Sequence, residues 1–273
     1  MRHLFMKIQV ITTLIGFFLL NSLVLAEGAG AGLDLAKKVY YREDGNDSVA
    51  FGKMVLIEKG HKPRERVTTT YTQEKQLGEV KTLIRFSAPA NVKHTSLLGM
   101  DTPDGNNNQW LFLPALGKVR KISSERKGGR FVGSDVYYED MQDRHPDRDS
   151  HKLLGTKTIK GATCQMLESV PKPDDNSHYS KKLSCIHLKT LLPLNVDFYI
   201  DDQLVKSWQT VKMKKIQGYW TIIESLITDA KSSHQTRLIT KNITYDQNLS
   251  DALFSRQVLE DPGAEKNFFR AAE

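Results

Sequence analysis

Over most of its length the chain alternates apolar and polar residues with a period of two. From residue 49, "VAFGKMVLIEK", "RERVTTTYTQ", "EVKTLIRFSAP", "HTSLLGMD" and "NQWLFLP" follow one another as strand-like runs, broken by turn-forming stretches such as "KGHKPR" and "TPDGNNN". "KVRKIS", two runs around Cys164 and Cys185, "LNVDFYI", "QLVKSWQTVKMKKI", "GYWTIIESLITDA" and "HQTRLITKNITYD" continue the pattern. The breaks "DDQ" and "IQG" are tight enough for hairpins. Alternation is clean in places: Val196, Phe198 and Ile200 share one face, while Asn195, Asp197 and Tyr199 share the other. About eleven consecutive antiparallel strands with no long helix between them exclude a parallel α/β fold, whose crossovers need a dozen or more residues.

Helical spacing is confined to the ends and to one central stretch. In "GLDLAKKVYYRED", Leu33, Ala36 and Tyr40 recur at helical intervals, which predicts a short amphipathic helix. "DALFSRQVLE" reads as a short helix or turn, and "NFFRAAE" as a tail.

A mainly β chain of this size must hide one face of its sheet, by folding into a sandwich, closing into a barrel, or curling around a plug. The candidates for the inward face are bulky and soft: Met54, Leu56, Phe86, Met100, Trp110, Phe112, Trp208 and Trp220. A packed core explains them, and so does an apolar ligand cavity.

The N-terminus sets the expected compartment. Arg2 and Lys7 precede the apolar run Ile8–Leu20, and Val24-Leu25-Ala26 supplies the small residues of a cleavage site. This is a secretory signal over residues 1–26, removed after Ala26, with residues 27–273 forming one exported domain. No Cys follows the cleavage point to receive a lipid, and no later stretch is apolar enough to span a bilayer. Loss of Arg2 and Lys7 lowers the net charge of +7 to +5. That excess is too mild for a nucleic-acid reader, and it suits anionic headgroups or an acidic partner. Two cysteines in an exported chain imply one disulfide. The turn-rich "PKPDDNSH" lies midway between Cys164 and Cys185, so a symmetric hairpin places the two sulfurs opposite one another on neighbouring strands.

The remaining motifs argue against catalysis. "EDMQDRHPDRDSH" alternates acids as a calcium loop does. It lacks the Gly at the sixth position and has Leu154 where the closing Glu belongs, so it reads as a solvated polar loop. Ser134 beside Asp135 lacks a nucleophile elbow. "GKVRKISSERKGGR" is basic and Gly-broken but lacks the ending of a phosphate loop. We expect no enzyme, no metal and no cofactor.

"RFSAP", "LLGMD", "QWLFLPALGKVRKI" and "FVGSDVYYEDM" together resemble the exported family of outer-membrane lipoprotein-sorting proteins, relatives of the periplasmic lipoprotein carrier LolA. The likeness continues through "LVKSWQTVKMKKIQGYWTI", "TRLITKNITYD" and "LFSRQVLE", and so covers most of the exported chain. It implies a half-open antiparallel β-barrel whose short helices cover an apolar cavity for acyl chains. The cargo would be a lipid or a lipoprotein, and the partner an inner-membrane transporter. An envelope sensor using the same cavity is the alternative. In that family an Arg ahead of an aromatic residue and a Pro holds the lid, and Arg85 in "LIRFSAP" matches. The chain departs from the simple carriers in its greater length, in the segment "FVGSDVYYEDM", which marks a larger branch, and in having Lys121 beside Arg120 where that branch commonly has a second Arg.

That segment is the expected lid. Ser134 can cap a short helix with Asp135 in its first turn, placing Val136, Tyr137, Asp140 and Met141 on one side. So short a helix must be held by what it covers. The expectation is that it spans the mouth of the sheet, with Phe131 or Tyr137 reaching inward and Asp135 or Asp140 near Arg85 or Arg120.

Overall fold

The computed structural model describes residues 30–105 and 107–268, so the signal segment and its cleavage site lie outside the described residues. Helix α1 covers residues 30–40. The strands are β1 (Asp47–Ile57), β2 (Arg64–Gln76), β3 (Glu79–Ala88), β4 (Ser96–Asp101), β5 (Asn107–Leu113), β6 (Lys118–Lys121) and β7 (Asp149–Ile159). They continue with β8 (Ala162–Pro171), β9 (Lys181–His187), β10 (Leu192–Ile200), β11 (Gln203–Ile216), β12 (Tyr219–Asp229) and β13 (Gln235–Tyr245). Helix α2 (Arg256–Glu260) follows.

All thirteen strands form one antiparallel sheet in the order β6-β5-β4-β3-β2-β1-β13-β12-β11-β10-β9-β8-β7. Each strand neighbours its sequence neighbour, except that β13 pairs with β1 and joins two wings. Strands β6 and β7 remain unpaired with each other, so this is a mainly β, half-open barrel. Its thirteen strands exceed the about eleven expected, and β7 is the one that matches none of the strand-like runs in the sequence. In "DSHKLLGTKTI" most side chains are exposed and the alternation is interrupted by a bulge between Leu153 and Thr156.

Thr72 and Thr82 of one wing face the same pocket as Ser184 and Val196 of the other, which marks the concave side. Between the two free edges runs the crossover 122–148, which packs Phe131 and Tyr138 onto Met54, Leu56, Phe86, Leu97 and Leu111 of that side. Helix α1 covers the concave side of the other wing, where Leu35 and Ala36 pack on Leu167 and Ile186. The approach is tight: a Cβ on Gly32 would lie 2.7 Å from the His151 carbonyl carbon.

The first wing is apolar on its convex side as well. Leu83, Leu98 and Phe112 there lie under the C-terminal segment with Leu253, Phe254, Val258 and Leu259. Burial on both faces explains why "LIRF", "SLLGM" and "WLFL" are continuous apolar runs rather than alternating ones.

Cys164 and Cys185 are disulfide-bonded with Cα atoms 5.3 Å apart. They are not directly opposite, because Cys185 pairs across the ladder with Met166 and the bridge runs diagonally. The loop between β8 and β9 is not a free symmetric turn. Its Asp175 is held by Arg148 Nε at 2.6 Å and Arg144 Nη1 at 3.1 Å, so tertiary contacts rather than turn symmetry set the register.

Candidate functional site

The concave side encloses a pocket of about 640 Å³, within the range that holds small ligands. One wall is apolar, formed by Ala36 and Val39 of α1 with Leu167, Ile186, Leu192 and Val196 of strands β8 to β10. A further stretch of the lining is acidic, with Asp44, Glu74, Asp101 and Asp143 beside the Tyr40 hydroxyl and Arg42 and Arg144 among them. Met141 forms part of the pocket and also borders a second cavity of about 210 Å³, whose lining includes Met54, Ile84, Phe131, Val136 and Leu238.

Burial dominates the electrostatics of the acidic wall. It raises Asp101 to about 7, and the Asp143 carboxylate adds to this, against hydrogen bonds from the Asp143 backbone N–H and from Asn107. Burial raises Asp143 to about 6, with Glu74 and Asp44 reinforcing it and the Tyr40 hydroxyl opposing it. The Asp143 N–H donates to Asp101 Oδ2 at 2.9 Å, tying the crossover to β4. Burial and the Asp143 carboxylate together hold the Tyr40 phenol far above its usual range, so it stays a donor.

The crossover is fastened by charge. Asp135, its side chain 1% exposed, accepts from Arg130 Nη1 at 2.6 Å and from Thr236 Oγ1 at 2.8 Å, and lies 2.6 Å from His234 Nδ1. Asp140 pairs with the buried Lys206, whose ammonium sits 3.7 Å above the centre of the Tyr137 ring. Burial pulls Lys206 below the usual lysine range, against the attraction of Asp140. Arg144 makes a bidentate contact with Asp149, both distances from its Nε being 3.0 Å. The run from Glu139 to His151 is therefore a half-buried, ion-paired wall, not the solvated loop its polarity suggested.

Several expected positions need correction. No α-helix begins at Ser134; two 3-10 turns form instead, Phe131–Gly133 and Tyr138–Met141. The Ser134 hydroxyl donates back to the Phe131 carbonyl at 2.7 Å, which closes a turn rather than capping a helix. Asp135 and Asp140 contact neither Arg85 nor Arg120. Arg120 is exposed on the β6 edge. Arg85 lies on the convex side, paired with Glu265 and donating to the carbonyls of Val258 and Leu259. It holds the C-terminal segment, not the crossover.

The residues expected inside divide by face. Met54, Leu56 and Phe86 lie on the concave side against Phe131, with the Phe86 and Phe131 ring centres 5.6 Å apart. Met100, Trp110 and Phe112 lie on the convex side beneath the C-terminal segment. Alternation could not distinguish the two, because this wing buries both faces. Trp208 is half-buried, between Val196 and Ile227 in the ladder. Trp220 stands at the pocket's rim. The acidic wall and Lys206 escaped sequence reading, since each is assembled from strands distant in the chain.

A family model described as an uncharacterized protein matches residues 78–261, more than half of the chain. Among solved structures, an outer membrane lipoprotein-sorting protein domain from Vibrio parahaemolyticus is 29% identical. The match covers 85% of this chain and 100% of that one, with a TM-score of 0.80. A DUF1329 family protein from Desulfovibrio piger is 31% identical over 85% of this chain and 99% of its own, also with a TM-score of 0.80. A LolA superfamily protein from Nitrosomonas europaea shares the fold at 17% identity, with a TM-score of 0.65 over 85% of this chain and 99% of that one. No curated protein matches the chain. The half-open barrel is thus of the LolA-like class. The chain belongs to the DUF1329 family.

Proposed function

We propose that the protein is a periplasmic carrier or chaperone that holds acyl chains of a lipid or lipoprotein in its concave pocket. The observation behind this reading is the mixed apolar and polar lining of the pocket. Apolar side chains of β8 to β10 and α1 line one space together with carboxylates, hydroxyls and cations, as an amphiphile requires. An acyl chain against Val39 and Val196 would pass Met141, which borders both spaces, to reach the smaller cavity lined by Phe131. Met141 is unbranched and adaptable enough to yield there.

The signal segment and the disulfide support an exported, oxidising location. No step of this reading needs covalent chemistry: holding and releasing cargo are binding events. The cargo would be taken from an inner-membrane transporter and passed towards the outer membrane. Native mass spectrometry of the protein purified from the periplasm tests the reading. The expected result is a substantial fraction carrying an acyl-bearing molecule, lost when Val196→Glu puts a charge on the apolar lining in a protein that melts as wild type. Protein free of lipid in both forms would refute it.

A further inference from the structure

Beside the pocket lies a groove of about 570 Å³, opening where α1 ends, and Arg42 and Trp220 border both spaces. Lys37, Lys38, Tyr41 and Lys189 line it. Lys215 is the ladder partner of Trp220 and so stands beside it on the same face of the sheet. The acids nearby are Glu43 in the groove, Asp147 at 3.2 Å from Lys37, and Asp44 at 2.8 Å from Arg42. Lys38, Lys189 and Lys215 are exposed and make no ion pair among the described residues. Lys37 and Lys38 also suit the last turn of α1, where positive charge complements the helix dipole. Lys189 and Lys215 come from other elements, so the dipole does not explain the cluster.

Apolar side chains are interleaved with these cations. Leu188, next to Lys189 in the β9–β10 turn, is 56% exposed, and Tyr41 is 40% exposed. An exposed leucine alone means little. Leucine, tyrosine and tryptophan set among unpaired lysines match what enters the interface of an anionic membrane, where rings sit at headgroup level and ammonium groups reach phosphates. The cations left unpaired are lysines, mobile point charges, whereas a fixed carboxylate on a protein partner is read by the planar fork of arginine.

We propose that this rim is a docking surface for a bilayer rich in anionic phospholipid, which presents the pocket opening to the membrane. The proposal rests on the carrier reading for its purpose, but its test does not depend on what fills the pocket. Protein purified from the periplasm is sedimented with phosphatidylcholine vesicles and with vesicles half phosphatidylglycerol. Binding is expected only to the second, and it weakens as salt rises. The triple variant K38E/K189E/K215E should lose at least about tenfold in partitioning, while Leu188→Asp weakens it further and both keep the wild-type circular dichroism and melting temperature.

The variant K118E/R120E/K121E, which reverses the basic β6 edge, should bind as wild type. Equal binding to both vesicle types, salt-insensitive binding, no binding, or an equal loss from the β6 variant would each overturn the proposal. If vesicle binding fails while lipid still co-purifies, the docking surface falls and the carrier reading stands. Vesicle binding by protein that never holds lipid removes the carrier reading alone.

Discussion

Arg85 on β3 is ion-paired with Glu265, 180 residues further along the chain, and both side chains are almost fully buried at 8% and 7% exposure. Besides Glu265, Arg85 donates to the carbonyls of Val258 and Leu259, the last turn of α2, where Ser96 Oγ also donates to Leu259 at 3.1 Å. A helix of five residues is not stable alone. Its place on the convex side depends on this arginine as much as on the burial of Val258 and Leu259.

Removing one member of a buried pair strands the other. Arg85→Ala should therefore destabilise the protein by about 3–5 kcal/mol. Limited proteolysis should then cut near residues 249–268 before the sheet is attacked. A variant that melts as wild type and resists cleavage there would contradict this role.

The acidic wall predicts an unusual pH dependence. Asp101 and Asp143, raised to about 7 and about 6, bind protons more tightly folded than unfolded. The stability they contribute is complete below the ordinary carboxylate range and is lost as pH rises through about 6 to 7. Asp101→Asn keeps an oxygen to accept the Asp143 N–H and removes the ionisation. Its stability relative to wild type should improve between pH 5 and pH 8 by a few kcal/mol at most, read from urea unfolding at several pH values. A pH-independent difference would contradict the assignment.

The crossover should behave as a fixed wall. Opening it would strip Asp135 from Arg130 and His234, and Asp140 from the buried Lys206, the last separation alone costing about 3–5 kcal/mol. Hydrogen exchange over residues 131–141 should be slow and equal with and without lipid. Faster exchange in the lipid-free protein would restore a moving lid. Lys206→Met should speed exchange there, because Asp140 then loses its cation and keeps only the Tyr179 hydroxyl and the Tyr137 N–H.

Met141 should meter chain length. Met141→Trp adds bulk at a residue that lines both cavities, and should shift the co-purified acyl chains to shorter species without abolishing binding. Met141→Ala should do the reverse. Identical chain profiles in all three proteins would place the acyl chain elsewhere.

The bridge between Cys164 and Cys185 spans 21 residues, for which loop closure predicts about 3 kcal/mol of stabilisation. The double Cys→Ser variant should unfold at correspondingly lower urea concentration with its secondary structure intact. Unchanged stability would mean that the β8–β9 loop is already held by Arg144 and Arg148.

Much of the architecture was legible in local pattern. The β1 to β6 and β8 to β13 runs, the short helix before them and the disulfide follow from period-two alternation, turn residues and the cysteine pair, because those signals act over a few neighbouring residues. Strand β7 was illegible because it is an edge whose exposed positions impose no alternation. The segment 131–141 was readable as a cover, since Phe131, Val136 and Met141 are apolar in a chain stretch with no strand period. Its form was not: a turn closed by the Ser134 hydroxyl and a helix capped by it begin with the same residues.

Which face of β3 to β5 looks inward was decided only by the tertiary structure. Leu83 and Ile84, Leu97 and Leu98, Leu111 and Phe112 are equally apolar neighbours, and nothing local distinguishes a side covered by the crossover from one covered by the C-terminal segment. The partners of Arg85, Asp135 and Lys206 were likewise beyond sequence, since each lies on an element brought close by the curl of the sheet. Alternation measures whether a side chain is buried; what it is buried against is settled by long-range packing, and so is the chemistry of this pocket.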